Sequence, residues 1–219
     1  MQKIDISTIL ASAIHESKNH LGTLLYQLEA LKRLNLPSEG STALRKVEEG
    51  MKQLNDEWVE YLYLYRLASD GYQVHYECHA LDEFLDDQVF ALTPSASAKN
   101  LSLSYDVDES LTGIFDERLM TAVVGTAVYN ALRFAKNKIE INADIVDEYL
   151  IINIEDDGKG FEETASEEDE MLFQTNTGLG LYFAELSANA HKVDHKSGFI
   201  QKQSSSKLGG AKLTIHLPQ

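Results

Sequence analysis

Four short segments of the chain carry residue types that can do chemistry. The first is His15-Glu16-Ser17-Lys18-Asn19. A carboxylate beside an imidazole can orient the ring and take a proton from it. Asn19 follows one helical turn on, on the same face as His15. A single surface histidine on a helix commonly does nothing, and six others (His20, His75, His79, His191, His195 and His216) occur in the chain. In the second segment the apolar run Leu150-Ile151-Ile152-Asn153-Ile154 delivers a carboxylate into Glu155-Asp156-Asp157-Gly158-Lys159-Gly160. Glycines at a strand end let backbone approach a ligand closely, and a carboxylate there can accept a hydrogen bond from the exocyclic amine of a base. The same residues also suit an ordinary Asp-Gly hairpin turn.

The third segment, Thr175-Asn176-Thr177-Gly178-Leu179-Gly180-Leu181, leads directly into a helical pattern. A glycine-rich turn at a helix N-terminus presents free N–H groups and the positive dipole end to phosphate; a plain helix cap reads the same way. It is not a Walker loop, since no Gly-Lys-Ser/Thr follows, nor does it sit in a βαβ unit with a dinucleotide fingerprint. The fourth is Asn130-Ala131-Leu132-Arg133-Phe134, within the otherwise apolar stretch 122–132. A buried amide there must find partners. Its oxygen suits hard Mg²⁺, although bonding to backbone is the commoner fate of such an Asn.

The elements that must position these residues follow from periodicity. Apolar residues at Ile6, Ile9, Leu10, Ala13, Ile14, Leu21, Leu24, Leu25, Leu28 and Leu31 form the stripe of a long amphipathic helix. Residues 35–41 break it with Pro37 and Gly40, and Ser41 is placed to cap a second helix carrying Leu44, Val47, Met51, Leu54, Trp58, Leu62 and Tyr65. The two make an antiparallel hairpin over residues 1–70. A hairpin alone cannot bury that stripe, so a dimeric four-helix bundle is expected. Residues 71–219 change texture. Strands are expected at 72–78, 101–105, 138–145, 149–154 and 212–217, helices at 81–92, 116–135 and 179–191, and an acidic loop at 160–174. This mixture indicates an α+β sandwich.

Composition narrows the classes. The chain has 219 residues, 43% of them hydrophobic, which supports real cores. Lys plus Arg number 19 against 35 Asp plus Glu, a formal charge of −16. That balance opposes nucleic-acid binding, which needs a basic footprint, but leaves room for a phosphorylated ligand neutralised by metal and backbone N–H groups. One cysteine, Cys78, rules out an internal disulfide framework. No apolar run reaches the length of a membrane span and no signal peptide is evident, so a cytoplasmic location is expected.

Together and in this order, the four segments resemble the histidine kinases of two-component signalling. His15-Glu16-x-Lys18-Asn19 is similar to the phosphoacceptor box and Asn130-Ala-x-Arg133-Phe134 to the asparagine box. Asp156-x-Gly158-x-Gly160 resembles the first glycine box and Thr177-Gly178-Leu179-Gly180-Leu181 the second. Gly209-Gly210 and the closing Leu217-Pro218 match the family's last elements. The resemblance implies a dimerisation and phosphotransfer hairpin followed by an α/β-sandwich ATPase domain of the gyrase, heat-shock chaperone and histidine kinase type. By it, His15 accepts the γ-phosphoryl group of ATP, Glu16 acts as base, and Asn19 positions water for dephosphorylating a receiver domain. Asn130 holds Mg²⁺, Arg133 reaches phosphate, Phe134 packs near adenine and Asp156 bonds its amino group. Gly158, Gly160, Thr177, Gly178, Leu179 and Gly180 shape the nucleotide turns. The implied partners are a second copy of the chain, a response-regulator receiver and a separate protein or segment supplying the signal, since both domains consume the sequence; no nucleic acid or membrane is implied.

The departures are specific. Thr126 stands where a second Asn is usual, Asn176 where Gly is usual, His20 where a kinking Pro is usual and Ala211 where Thr is common. Only Leu172-Phe173 stands for the phenylalanine box. Glu162, Glu163, Glu167, Glu168, Asp169 and Glu170 make the lid acidic, which suits either a solvated loop or charges that repel nucleotide until a partner or Mg²⁺ intervenes. The competing reading is a phosphorelay or scaffold protein of the same fold that has lost ATP turnover. A Ser/Thr kinase of the anti-sigma type does not account for residues 1–70.

Overall fold

The computed structural model describes residues 6–34, 36–69, 71–160 and 179–219. It divides into two compact units, Met1–Tyr72 and Gln73–Gln219.

The first unit is a hairpin of α1 (Ile6–Lys32) and α2 (Ser38–Ala68). On α1, Ile14, Leu21 and Leu28 are buried, one every seven residues, as a seam between paired helices requires. Leu24, Leu31, Val47 and Leu54 stay exposed. α1 runs through His20 without interruption, because a histidine keeps the N–H that proline would remove. α2 begins at Ser38, not at Ser41: Pro37 takes the N-cap position with extended backbone (φ −57°, ψ 157°), and the Ser41 N–H already bonds the Pro37 carbonyl. Near the turn, the buried Glu48 carboxylate accepts from Lys32 (2.6 Å) and Lys52 (3.1 Å). The Lys32 hydrogen bond, with help from Lys52, holds that carboxyl below the usual range against the opposing effect of burial.

The second unit is a sandwich built on a five-stranded mixed sheet. Its strands are β2 (Ser102–Asp106), β4 (Lys138–Val146), β5 (Tyr149–Asp156), β8 (Phe199–Ser204) and β9 (Ala211–Pro218), in the order β2-β4-β5-β9-β8. Only the β2–β4 pair is parallel. α3 (Leu81–Ala98), α4 (Glu117–Phe134) and α5 (Leu179–Ala190) supply the second layer. Alternation sends Ile139, Ile141, Leu150, Ile152, Ile154, Leu213, Ile215 and Leu217 into the core, where they meet the apolar face of α4 and Phe183 of α5. β1 (Glu77–Ala80) pairs with β3 (Thr112–Phe115), and β6 (Lys192–Val193) with β7 (Lys196–Ser197).

Several elements differ from the sequence expectation. α3 runs to Ala98 and contains Pro94. The carbonyl that loses its partner there belongs to Phe90, whose side chain is 81% exposed, so water can reach that side of the helix. β1 begins at Glu77, because residues 75–76 are bound elsewhere. The His75 N–H donates to Asp116 Oδ2 (2.8 Å), and the Tyr76 hydroxyl exchanges hydrogen bonds with both backbone groups of Lys192. Asp116 also caps α4 through the Leu119 N–H (3.2 Å), while its own N–H donates to the buried His191 Nε2 (3.0 Å).

Candidate active site

β5 brings Asp156 to the sheet end as the sequence suggests, and two turns close on it. The Gly210 N–H donates to its backbone carbonyl (3.1 Å), and its carboxylate Oδ1 accepts from the N–H groups of Gly158 (2.7 Å) and Ala211 (3.2 Å). Among the described residues all side-chain hydrogen bonds of Asp156 fall on Oδ1, which leaves Oδ2 for a ligand donor. Burial pushes this carboxyl above the usual range, with the two backbone N–H groups and then the neighbouring Asp157 charge as smaller influences, the N–H groups opposing the rise.

The glycines here are steric requirements. A Cβ on Gly158 would lie 2.3 Å from the Phe134 carbonyl oxygen, and one on Gly210 would lie 2.4 Å from the Gly158 nitrogen. Gly160 adopts φ +82° and packs beside the Gly210 carbonyl. The last turn of α4 therefore rests on the turn that follows Asp156.

Asp157 makes that junction rigid. Its carboxylate accepts from the backbone N–H groups of Lys136 (2.8 Å), Asn137 (3.0 Å) and Lys138 (3.2 Å), and from the Asn137 side chain (3.0 Å). Burial opposes ionisation, but the Asn137 and Lys bonds outweigh it and hold the carboxyl well below the usual range. Reading the sequence for chemistry passes over Asp157. The signal for it is an acid directly after a strand's last inward residue, facing a loop of unpaired N–H groups.

On α4, Thr126, Asn130 and Arg133 lie at helical spacing on one half-buried face, beside Phe134. Asn130 makes no hydrogen bond with a described residue. The Thr126 hydroxyl donates to the Ala122 carbonyl (2.8 Å). The Arg133 guanidinium lies 5.8 Å from the Phe134 ring centroid. Leu179 and Gly180 form the first turn of α5, half-buried. Thr177 and Gly178, with the acidic lid, Phe173 and Asn176, lie outside the described residues.

In the hairpin unit His15, Glu16 and Asn19 are all exposed on α1, away from the Ile14–Leu21–Leu28 seam. The Asn19 amide lies 3.3 Å from His15 Nδ1, and either amide orientation pairs with a matching ring tautomer. These residues and the Asp156 turn belong to different units. Among the described residues no three His, Cys, Asp or Glu side chains cluster to hold a metal. A Mg²⁺ ion bound chiefly by phosphates needs only one or two protein ligands, and the Asn130 amide, which bonds no described residue, fits that demand.

Among the described residues, a mixed sheet backed by helices delivers an acid into a two-glycine turn against an Asn-bearing helix. Residues 115–219 match the family of histidine kinase-, DNA gyrase B- and HSP90-like ATPases. The chain is also similar to sensor histidine kinases. It is 26% identical over 153 residues to the virulence sensor histidine kinase PhoQ of Salmonella typhimurium, covering 70% of this chain and 31% of that protein. It is 25% identical over 156 residues to the sensor protein PhoQ of Escherichia coli. The chain thus spans about a third of the length of the curated relatives it matches. The fold matches the histidine kinase AdeS of Acinetobacter baumannii with a TM-score of 0.61 at 23% identity, covering 90% of this chain and 94% of that one. It also matches full-length ShkA, a structure in complex with AMPPNP, at 0.66 and 20% identity, covering 96% and 45%. No helix among the described residues is long and apolar enough to cross a membrane.

Proposed function

We propose that the chain is an ATP- and Mg²⁺-dependent protein-histidine kinase, acting as a homodimer, that phosphorylates His15 and passes the phosphoryl group to a receiver aspartate. The observation that carries this reading is the Asp156 turn: one carboxylate oxygen fixed by two backbone N–H groups, the other left for the adenine amine, and the end of α4 packed against it. Residues 1–72 supply the phosphoacceptor hairpin, whose exposed Leu24, Leu31, Val47 and Leu54 are covered in the dimer.

In this mechanism Asp156 selects the base, Phe134 packs beside it and Arg133 faces the phosphates. Asn130 would hold a Mg²⁺ ion, which would supply charge neutralisation at the phosphates. A His15 ring nitrogen attacks the γ-phosphorus, the bond to the β–γ bridging oxygen breaks and ADP departs. The proton on the ring passes to Glu16. Asn19, already beside the ring, positions water when the receiver is dephosphorylated. Ala211 does not count against turnover, since the group it contributes to Asp156 is its backbone N–H.

The transfer step is tested by mixing phosphorylated chain with receiver domains and with a receiver whose acceptor Asp is changed to Asn. Label moving only to the intact receiver is expected. Label that no receiver removes contradicts the transfer.

A further inference from the structure

The turn between β8 and β9 is built around one buried side chain, Ser205, which is 4% exposed. Its hydroxyl donates to Glu155 Oε2 (2.5 Å) and accepts from the Leu208 N–H (2.8 Å). Its backbone N–H donates to the Gly210 carbonyl (2.7 Å), and its carbonyl accepts from Gly209 (3.0 Å), which adopts φ +86°. Glu155 and Asp156 are consecutive on β5, so their side chains leave opposite faces of the sheet. The one turn therefore grips both: Ser205 holds Glu155 on one face, while Gly210 and Ala211 place N–H groups on the Asp156 carbonyl and Oδ1. A second hook, Lys207 to Glu140 on β4, ties the same turn to the neighbouring strand. Lys212 approaches the other oxygen of Glu155 at 3.4 Å.

We propose that Ser205 is a positioning residue for base recognition: its bond to Glu155 sets the 205–211 turn so that the Ala211 N–H occupies Asp156 Oδ1 and reserves Oδ2 for the adenine amine. The proposal rests on the reading of Asp156 as the adenine-binding acid. Without the hydroxyl, Glu155 and the Leu208 N–H lose their common partner, and the turn loses its side-chain anchor on the Glu155 face of β5. Asp156 can then rotate, and selection for the amine fades while contacts to the triphosphate remain.

The test compares Mg²⁺-dependent binding of ATP with that of purine riboside triphosphate, the same molecule without the 6-amino group. A hydrogen bond to a charged group predicts that the wild-type chain prefers ATP by roughly tenfold to a hundredfold. Ser205→Ala should bring that preference to about threefold or less, with the affinity for the purine analogue unchanged within about twofold. Ser205→Thr, which keeps the hydroxyl, and Lys207→Ala, which removes only the other hook, should keep the wild-type ratio. Glu155→Ala removes the acceptor and carries the same expectation as Ser205→Ala, so the proposal stays testable if the serine variant does not fold. A Ser205→Ala chain that keeps the full preference overturns the proposal, as does a Lys207→Ala chain that loses it equally. A wild-type chain with no preference for ATP overturns the reading of Asp156 itself, and the proposal with it.

Discussion

The backbone carbonyl of Phe134 occupies the space that a side chain on Gly158 would need, 2.3 Å from an ideal Cβ. This contact ties the asparagine-bearing helix to the turn that presents Asp156. Gly158→Ala must therefore separate the two, and overpacking of this kind costs about 1–3 kcal/mol. The expected result is a folded domain with lowered melting temperature and ATP affinity reduced at least about tenfold. Unchanged affinity in calorimetry would show that the two elements need not touch.

The surroundings of Asp156 work against its charge. Burial raises its folded-state pKa above the ordinary 3.8, so its contribution to stability is fully present below that value and is lost as pH rises through the folded pKa. Asp156→Asn keeps an oxygen to accept from Gly158 and Ala211 and removes the charge. Its melting temperature at pH 7 should equal or exceed that of the wild type while ATP affinity falls roughly tenfold to a hundredfold. A fall in both quantities would mean that the carboxylate is structural.

His191 is expected to make the second unit sensitive to acid. Nδ1 donates to the Ser187 carbonyl (2.8 Å) and Nε2 accepts from the Asp116 N–H, so the neutral ring satisfies both neighbours and a second proton would meet the Asp116 donor. Tyr76 packs edge-on against the ring and Asp116 is the charged group facing it. Burial lowers the folded pKa below the ordinary 6.5, while the Ser187 carbonyl and Asp116 work the other way. The sign follows: stability is fully present above 6.5 and is lost as pH falls through the folded pKa, at no more than about 1.4 kcal/mol per pH unit. Melting temperature measured from pH 8 to pH 5 should drop more steeply for the wild type than for His191→Gln. Parallel curves would remove His191 from the account.

Much of this arrangement was legible in the sequence, and the exceptions share a cause. Asp156, Gly158 and Gly160 stand out only in combination with the other segments, since alone they also suit a hairpin turn, and the α4 stripe indicates which face Asn130 takes. Asp157, Ser205 and His191 act through contacts with residues distant in the chain. Asp157 meets residues 136–138, Ser205 meets Glu155, and His191 meets Asp116. No local period marks a residue whose partner lies on another element. Pro94 misled for the opposite reason: a strong local breaker was tolerated because its side of α3 faces solvent. Ser41 looked like a cap, but Pro37 supplies the extended residue and α2 starts one turn earlier.

The central claim is that His15 receives the γ-phosphoryl group of ATP, and one labelling experiment addresses it directly. The chain and a His15→Ala variant are incubated with γ-labelled ATP and Mg²⁺, nucleotide binding is confirmed for both, and the label is challenged with acid. The account predicts acid-labile label on the wild type and none on a variant that binds ATP equally well. Label that persists on His15→Ala, or that survives acid, would contradict it.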